Sequence, residues 1–462
     1  MDNSQRLKEL ATQPIGRLLW KYSIPGVVGM LVQALYNVVD RIFIGQWSGP
    51  EAIAGLTVTF PLMSLATAIG VLIGIGSCSR VSILLGAGDK KQAEHILGNA
   101  LTLTLVNGFA YIAVFALVMD QLLMVFGADE TTLPLAREYM VILLPGMILT
   151  NIAYSLNNVM RASGYPGRAM VTMIIGGIVN VALDPLFIKV LGMGIAGAAI
   201  ATDIAMFVSA WFVLAHFCRK DSTLRFRRGT FGLNWQIFVT IVSIGAAPAV
   251  INAASCGINA IVNRSLIAYA SEGTAVLDIA AAGIFTTFNS LSIIIVLGIC
   301  QGLQPIIGYN YGSGNSQRLW HSYWLAVGVS TLLTTASSVI GVCCPQIVAL
   351  CFNGDEHLIE TTSYALRNAT WAFSVVGFQV VSTTFFQSIG KAGKSIFLSL
   401  SRQVIFLVPL LLILPNFMEV KGVWMSFPIS DLMATVVTVV LIGGQYRIMK
   451  RHQSQSNPIA AN

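Results

Sequence analysis

Long apolar runs, most near the ~20 residues needed to cross the hydrocarbon core of a bilayer, alternate with short polar or basic joints along almost the whole chain. Twelve such runs can be placed, at 16–44, 52–79, 93–119, 132–158, 167–189, 193–217, 234–262, 275–303, 318–345, 359–387, 395–415 and 421–446. The pattern predicts an all-α membrane protein with twelve transmembrane helices. Composition agrees, because only 10% of the 462 residues are charged and 55% are hydrophobic, against about 25% charged in soluble domains. The start, MDNSQRLKEL, is polar and the run behind it is too long for an h-region, so no cleavable signal peptide is expected.

The net charge of +7 takes its meaning from where the charges lie. Most basic residues fall in alternate joints, including Arg6, Lys90, Lys91, Arg161, Arg168, Arg219 to Arg228, Lys391, Lys394 and Arg402. The opposite joints hold only Arg41, Arg137, Lys189, Arg264, Arg367 and Lys421, and carry the acidic pairs Asp129-Glu130 and Asp355-Glu356. By the positive-inside rule this asymmetry places both termini in the cytoplasm. A multi-pass protein of the plasma (bacterial inner) membrane is expected, and nucleic acid is not an expected partner. The seven cysteines, without metal-ligand spacing, read as small core residues.

Three short blocks repeat at one offset. Phe126-Gly-Ala-Asp-Glu130 returns as Phe352-Asn-Gly-Asp-Glu356, Gly86-Ala-Gly-Asp89 as Gly312-Ser-Gly-Asn315, and Gly164-Tyr-Pro-Gly167 as Gly390-Lys-Ala-Gly393. The chain therefore divides into a six-helix lobe over 1–218, a basic cytoplasmic linker over 219–233, a second six-helix lobe over 234–446 and a polar tail over 447–462. An even number of spans per lobe gives both the same orientation, related by a pseudo-two-fold axis along the membrane normal.

Chemistry enters as polar residues inside the apolar runs. Gln33, Tyr36, Asn37 and Asp40 share one face of the first span, and a carboxylate in hydrocarbon is a functional-site hypothesis by default. In the seventh span, Asn252, Ser255, Asn259 and Asn263 form the matching stripe, with Asn263 where the first lobe has its acid. Asn180 and Asp184 stand one turn apart beside Pro185, and Thr202 lies on the sixth span at a neighbouring depth. Asp203, Asp278 and Asp431 stand without comparable stripes. Pro25 and Pro248 should bend their helices, and the bend at Pro25 is a candidate hinge.

These residues carry a resemblance. The twelve-span plan, the NVVDRIFIG segment, the paired GAGD and GSGN loops and the Asn180, Asp184, Thr202 set resemble the multidrug and toxic compound extrusion (MATE) family over roughly residues 14 to 446. The acid-free seventh span departs from the NorM-like branch, and the first-lobe acids fit the DinF-like branch with its MepA-type exporters. The resemblance implies a proton or sodium site at Asp40, Asn180, Asp184 and Thr202. It implies a substrate cavity drawing on Gln33, Tyr36, Asn37, Tyr139 and Asn157. It also implies a V-shaped pair of lobes that export cationic or amphipathic organic compounds by alternating access, as a monomer, without a cofactor and with no metal other than sodium.

Other readings stay in view. The loop RVSILLGAGDKKQAEH lacks the arginine-rich pattern expected between the second and third spans of a major-facilitator transporter. A lipid-linked precursor flippase would have a more basic central cavity, whereas the midmembrane stripes here are amide, hydroxyl and carboxylate. A membrane-embedded enzyme would need clustered ligands or a nucleophile with its base, and the five histidines are scattered. A one-sided acid site suits coupling better than a symmetric channel.

Overall fold

The computed structural model describes residues 3–270, 274–352 and 354–456, without the side chains at 3–6, 50, 252, 253, 256 and 452–456. Arg6, Asn252, Cys256, Asn353 and His452 of the sequence patterns thus lie outside the described side chains, and the tail beyond 456 lies outside the described residues.

Behind a short helix at Asn3–Thr12, the first half runs α1 (Ile15–Ser48), α2 (Pro50–Gly86), α3 (Lys90–Val125), α4 (Thr132–Ala162), α5 (Pro166–Asp184, continued by a π-helical turn at Pro185–Val190) and α6 (Gly194–Cys218). The second half runs α7 (Trp235–Tyr269), α8 (Ala275–Gly312), α9 (Ser316–Cys343), α10 (Glu356–Thr370 and, after a 53° bend, Phe373–Ser388), α11 (Ala392–Ile413, with a π-helical stretch at Ser401–Leu407) and α12 (Pro415–Ser456). Among the described residues, ten of these are long and apolar enough to cross a membrane, eleven with the bent α10 taken as one span. The helix α7 occupies the seventh place in the predicted order, and its apolar stretch is described over Trp235–Ile251.

The repeat reappears as backbone geometry. Asp89 caps α3 by accepting the Gln92 N–H at 2.9 Å, and Asn315 caps α9 by accepting the Arg318 N–H at 3.1 Å. Each cap follows a glycine of positive φ, Gly88 at 81° and Gly314 at 72°, a conformation that glycine adopts without a Cβ penalty. The acidic joints match as well. Asp129 accepts the N–H groups of Thr131 and Thr132, and Asp355 accepts that of Leu358. The Thr131 hydroxyl, helped by the donors of Thr132, holds the exposed Asp129 carboxyl well below the usual carboxylate range.

Between lobes the packing is confined to the end that carries the basic joints. There α1 lies against α8 and α2 against α7 and α8. Leu18, Leu19 and Tyr22 of α1 enter an apolar cluster built mainly from the second half, while Ile241 of α7 enters one built from the first. Lipid supplies no hydrophobic drive for helix pairing, so small residues that let backbones approach carry the contact. A Cβ at Gly298 would lie 2.6 Å from the Val27 Cα, and one at Gly302 would lie 2.5 Å from the Ser23 nitrogen. Across the same seam Ser79 Oγ donates to the Gln387 carbonyl at 2.7 Å, and Gln304 Nε2 to the Ile75 carbonyl at 3.1 Å.

Nor does the linker hang free. Arg227 pairs with buried Glu94 of α3 at 2.5 Å, and the Thr230 and Phe231 carbonyls accept from Asn99 and Thr102. The two basic residues assigned above to cytoplasmic joints that need correcting are Arg161 and Arg402. Both sit within helices, α4 and α11, and both line the central cavity. Arg161 lies in the extra turn by which α4 outruns its predicted end at 158, Arg402 lies in the middle of α11 and inside the predicted run 395–415, and polar partners on other helices draw both guanidinium groups inward.

Candidate ion and substrate sites

The predicted ion-site residues assemble inside the first lobe. Asn180 and Asp184 occupy one face of α5 because they are four residues apart, and Asn180 Nδ2 donates to Asp184 Oδ1 at 3.3 Å and to Thr202 Oγ1 of α6 at 3.2 Å. From α1, the Asp40 carboxyl reaches the Asp184 carboxyl within hydrogen-bonding range. Asp184 is fully buried and Asn180 nearly so. Two carboxyl groups in contact need a proton or a cation between them. Asp40 Oδ1, Asn180 Oδ1 and Asp184 Oδ2 are buried with no donor, and together they form an oxygen set suited to a hard cation.

The α5 helix supplies this geometry by changing its winding where the site ends. Pro185 cannot donate to the turn before it, and the chain continues as a π-helix through Val190. Such wide turns concentrate at functional sites. The second lobe has its own π-helical stretch, at Ser401–Leu407 of α11, and it carries Arg402.

Tyr139 was expected at the substrate cavity and is found elsewhere. It is buried in the first-lobe core, beside Asp40, Asp184, Asp203 and Tyr36. The face of α4 that carries it turns toward α1, α5 and α6, so it belongs to the acid cluster. Asp203 joins the same cluster, its carboxyl pressed against Gly146, where only a residue without Cβ leaves room. Asn37 is exposed and donates back to the Gln33 carbonyl at 2.8 Å, so it too lies off the cavity lining.

The cavity lies between the lobes above the seam, with a volume of about 520 Å³, within the range of small-molecule sites. Gln33, Tyr36 and Asn157 line it, as expected, and so does Pro248. Asn157 Nδ2 holds the Ala169 carbonyl at 2.9 Å, while its Oδ1 has no donor. Much of the remaining polar lining was not foreseen. Gln301 and Gln304 come from α8, Gln379, Thr383 and Gln387 from α10, and Arg402 and Gln403 from α11. The α10 residues recur every four positions, so that stripe was legible in the pattern. No pattern marked Arg402, which pairs with buried Asp431 of α12 at 2.7 Å. Asp431, read as lacking a partner stripe, is half of an ion pair whose backbone carbonyl also accepts from Gln379. The cavity lining therefore includes two arginines, Arg161 and Arg402, which the amide, hydroxyl and carboxylate stripes of the sequence do not show.

In the second lobe, Asn259 and Asn263 are exposed, and Ser255 is within 3.5 Å of Gln403. The described stripe residues of α7 gather no carboxyl group, so the acid cluster belongs to the first lobe alone among the described residues. Both Pro25 and Pro248 lie inside unbroken helices, and Pro25 stands beside the residues packed on α8.

The MatE family model matches residues 25–186 and 269–413. An FAD transporter of Shewanella oneidensis is 27% identical over 94% of this chain and 95% of its own, and the multidrug export protein MepA of Staphylococcus aureus is 22% identical over 95% and 96%. Among solved structures, a MATE crystal structure in the bent conformation is 25% identical with a TM-score of 0.90, covering 97% of this chain and 99% of its own. An outward-facing multidrug resistance MATE transporter is 26% identical with a TM-score of 0.87, covering 96% and 98%. The two-lobe, twelve-helix plan and the whole-length likeness to transporters exclude the enzyme reading, and this chain belongs to the MATE (MatE) family of membrane transporters.

Proposed function

We propose that the protein is a cation-coupled antiporter that moves amphipathic organic compounds out of the cytoplasm by alternating access. The observation that carries this reading is the contact between Asp40 and Asp184, set in one lobe beside an inter-lobe cavity that is closed at its basic end. The ion would bridge the two carboxyl groups, with Asn180 Nδ2 orienting Asp184 and the Thr202 hydroxyl completing the polar shell. Protons and sodium would compete for that place. Occupancy drives a change of state only through different affinities in the two states, and a tenfold preference supplies about 1.4 kcal/mol. Pro25, at the junction between the seam and the stripe leading to Asp40, is the proposed bending point. A relative named for FAD transport and others named for multidrug export support an organic cargo that is at once aromatic or apolar and polar.

Dye efflux from liposomes, driven first by a proton gradient and then by a sodium gradient, tests coupling. Efflux driven by either supports antiport, and efflux indifferent to both overturns it. The orientation proposed, with both termini cytoplasmic in the plasma membrane and the protein acting as a monomer, has its own test. In a protein freed of native cysteines, a cysteine at Glu130 or Glu356 should react with an impermeant thiol reagent in intact cells, and one at Lys90 or Arg225 should not. Reversed labelling would invert the topology.

A further inference from the structure

The cavity lining is one-sided in charge. Among the described residues that line it there is no aspartate or glutamate, and there are two arginines, Arg161 and Arg402. Asp431 neutralises Arg402. Arg161 is different. It is only 4% exposed, no carboxylate forms an ion pair with it among the described residues, and its Nε is buried without an acceptor. Its Nη2 donates to Asn158 Oδ1 at 3.2 Å, and its Nη1 donates to Gln301 Oε1 of the opposite lobe. Both acceptors are neutral amides. A buried charge is costly unless it is paired, and a guanidinium presents a fork of donors that matches carboxylate and phosphate oxygens.

Location gives this lone charge a role. Gln301 stands on α8 one position before Gly302, at the seam where the lobes meet, and its amide nitrogen also approaches Met30 Sδ of α1 at 2.9 Å. The contact between Arg161 and Gln301 therefore exists only while the basic end is closed. When the lobes part there, the amide oxygen leaves and the guanidinium faces the cavity with its strongest donors free.

We propose that Arg161 recognises an anionic group, a carboxylate, sulfonate or phosphate, on an amphipathic organic substrate, and that Gln301 displaces that group when the basic end closes. This rests on the alternating-access reading above and names its substrate class. The device makes affinity depend on state. A substrate anion holds Arg161 in the open-inward form, and closing the seam supplies a competing oxygen that releases it. The apolar remainder of the cavity, with Met30, Val71, Met173 and Leu297, takes the substrate's hydrophobic body.

Equilibrium binding to the purified full chain in phosphatidylcholine nanodiscs tests the proposal without needing transport or an ion gradient. Two xanthene dyes of similar shape serve as ligands, fluorescein as the anion and tetramethylrhodamine methyl ester as the cation. The expected result is that Arg161→Gln lowers the ratio of fluorescein to rhodamine-ester affinity about tenfold or more, in line with the loss of a charge-assisted pair. Gln301→Ala should tighten fluorescein binding, a gain that damage to the fold would not produce. Equal loss of both dyes in Arg161→Gln, or no gain in Gln301→Ala, overturns the assignment. Repeating the titration in phosphatidylglycerol discs separates the source of the anion. Unchanged fluorescein affinity identifies a free organic anion, and weakened affinity that Arg161→Gln abolishes assigns the place to a lipid headgroup phosphate. Because the discs carry no gradient, wild-type fluorescein binding with uncoupled efflux would sink the antiport reading alone. Coupled efflux of rhodamine ester without fluorescein binding would sink only this proposal.

Discussion

Asp40→Asn is expected to abolish ion-coupled export in liposomes, while Asn263→Ala, at the matching position of the second lobe, leaves coupling intact. The reason lies in what each side chain meets. Asp40 contacts Asp184 inside the first lobe, and an amide there can neither share a proton with the remaining carboxyl group nor offer a cation its charge. Asn263 is exposed, and among the described residues no carboxyl group is gathered near its stripe. The same logic reaches binding. By reciprocal linkage, an ion that favours one state and a substrate that favours the other weaken each other's binding by the same factor. Dye affinity should therefore change with pH or sodium concentration in the wild type, by up to about tenfold for a tenfold state preference of the ion, and should be flat in Asp184→Asn. Equal loss of coupling in Asp40→Asn and Asn263→Ala would mean that the asymmetry between lobes has no part in coupling, and an undiminished ion dependence in Asp184→Asn would remove that residue from the site.

Gly302→Val should force the basic end open. A Cβ at this position already meets the backbone of Tyr22 and Ser23 at 2.6 and 2.5 Å, and backbone cannot swing away as the tip of a side chain can. Overpacking of a close contact costs about 1–3 kcal/mol, and every 1.4 kcal/mol moves an equilibrium about tenfold, so the closed-seam form should lose its majority. Spin labels at Lys90 and Ser316, which begin the helices on either side of the seam, should move to a longer and broader distance distribution. Unchanged distances in Gly302→Val would show that the seam is not the element that opens. A shift to longer distances would also raise the exposure of Arg161, whose contact with Gln301 is made across the same seam.

The sequence alone determined the elements and most of the polar residues gathered around Asp184, because both depend on local order along the chain. Apolar runs of membrane-spanning length allow one regular structure, since every backbone group must be paired within the segment. A stripe such as Gln33, Tyr36, Asp40 is visible because helical spacing places its members on one face. Asn180 and Asp184 were legible for the same reason, and their depth matched that of Asp40 and Thr202. The repeated turns at Gly88-Asp89 and Gly314-Asn315 were readable because a positive-φ glycine followed by a capping side chain leaves a local signature.

What only the tertiary structure decided was which faces meet. Tyr139 has no signal that separates a cavity wall from an acid cluster, since the choice depends on how α4 is rotated against α1, α5 and α6. Arg161 and Arg402 read as cytoplasmic charges because charge bias assigns a side to a joint and says nothing about a residue inside a helix, Arg161 at the end of α4 and Arg402 in the middle of α11, whose partners lie on other helices. Gln301 sits 140 positions away from Arg161 in the chain, and Asp431 sits 29 from Arg402. Long-range pairs of this kind, one across the lobes and one within the second lobe, leave no periodicity, so the charge of the cavity emerged only from the packed helices.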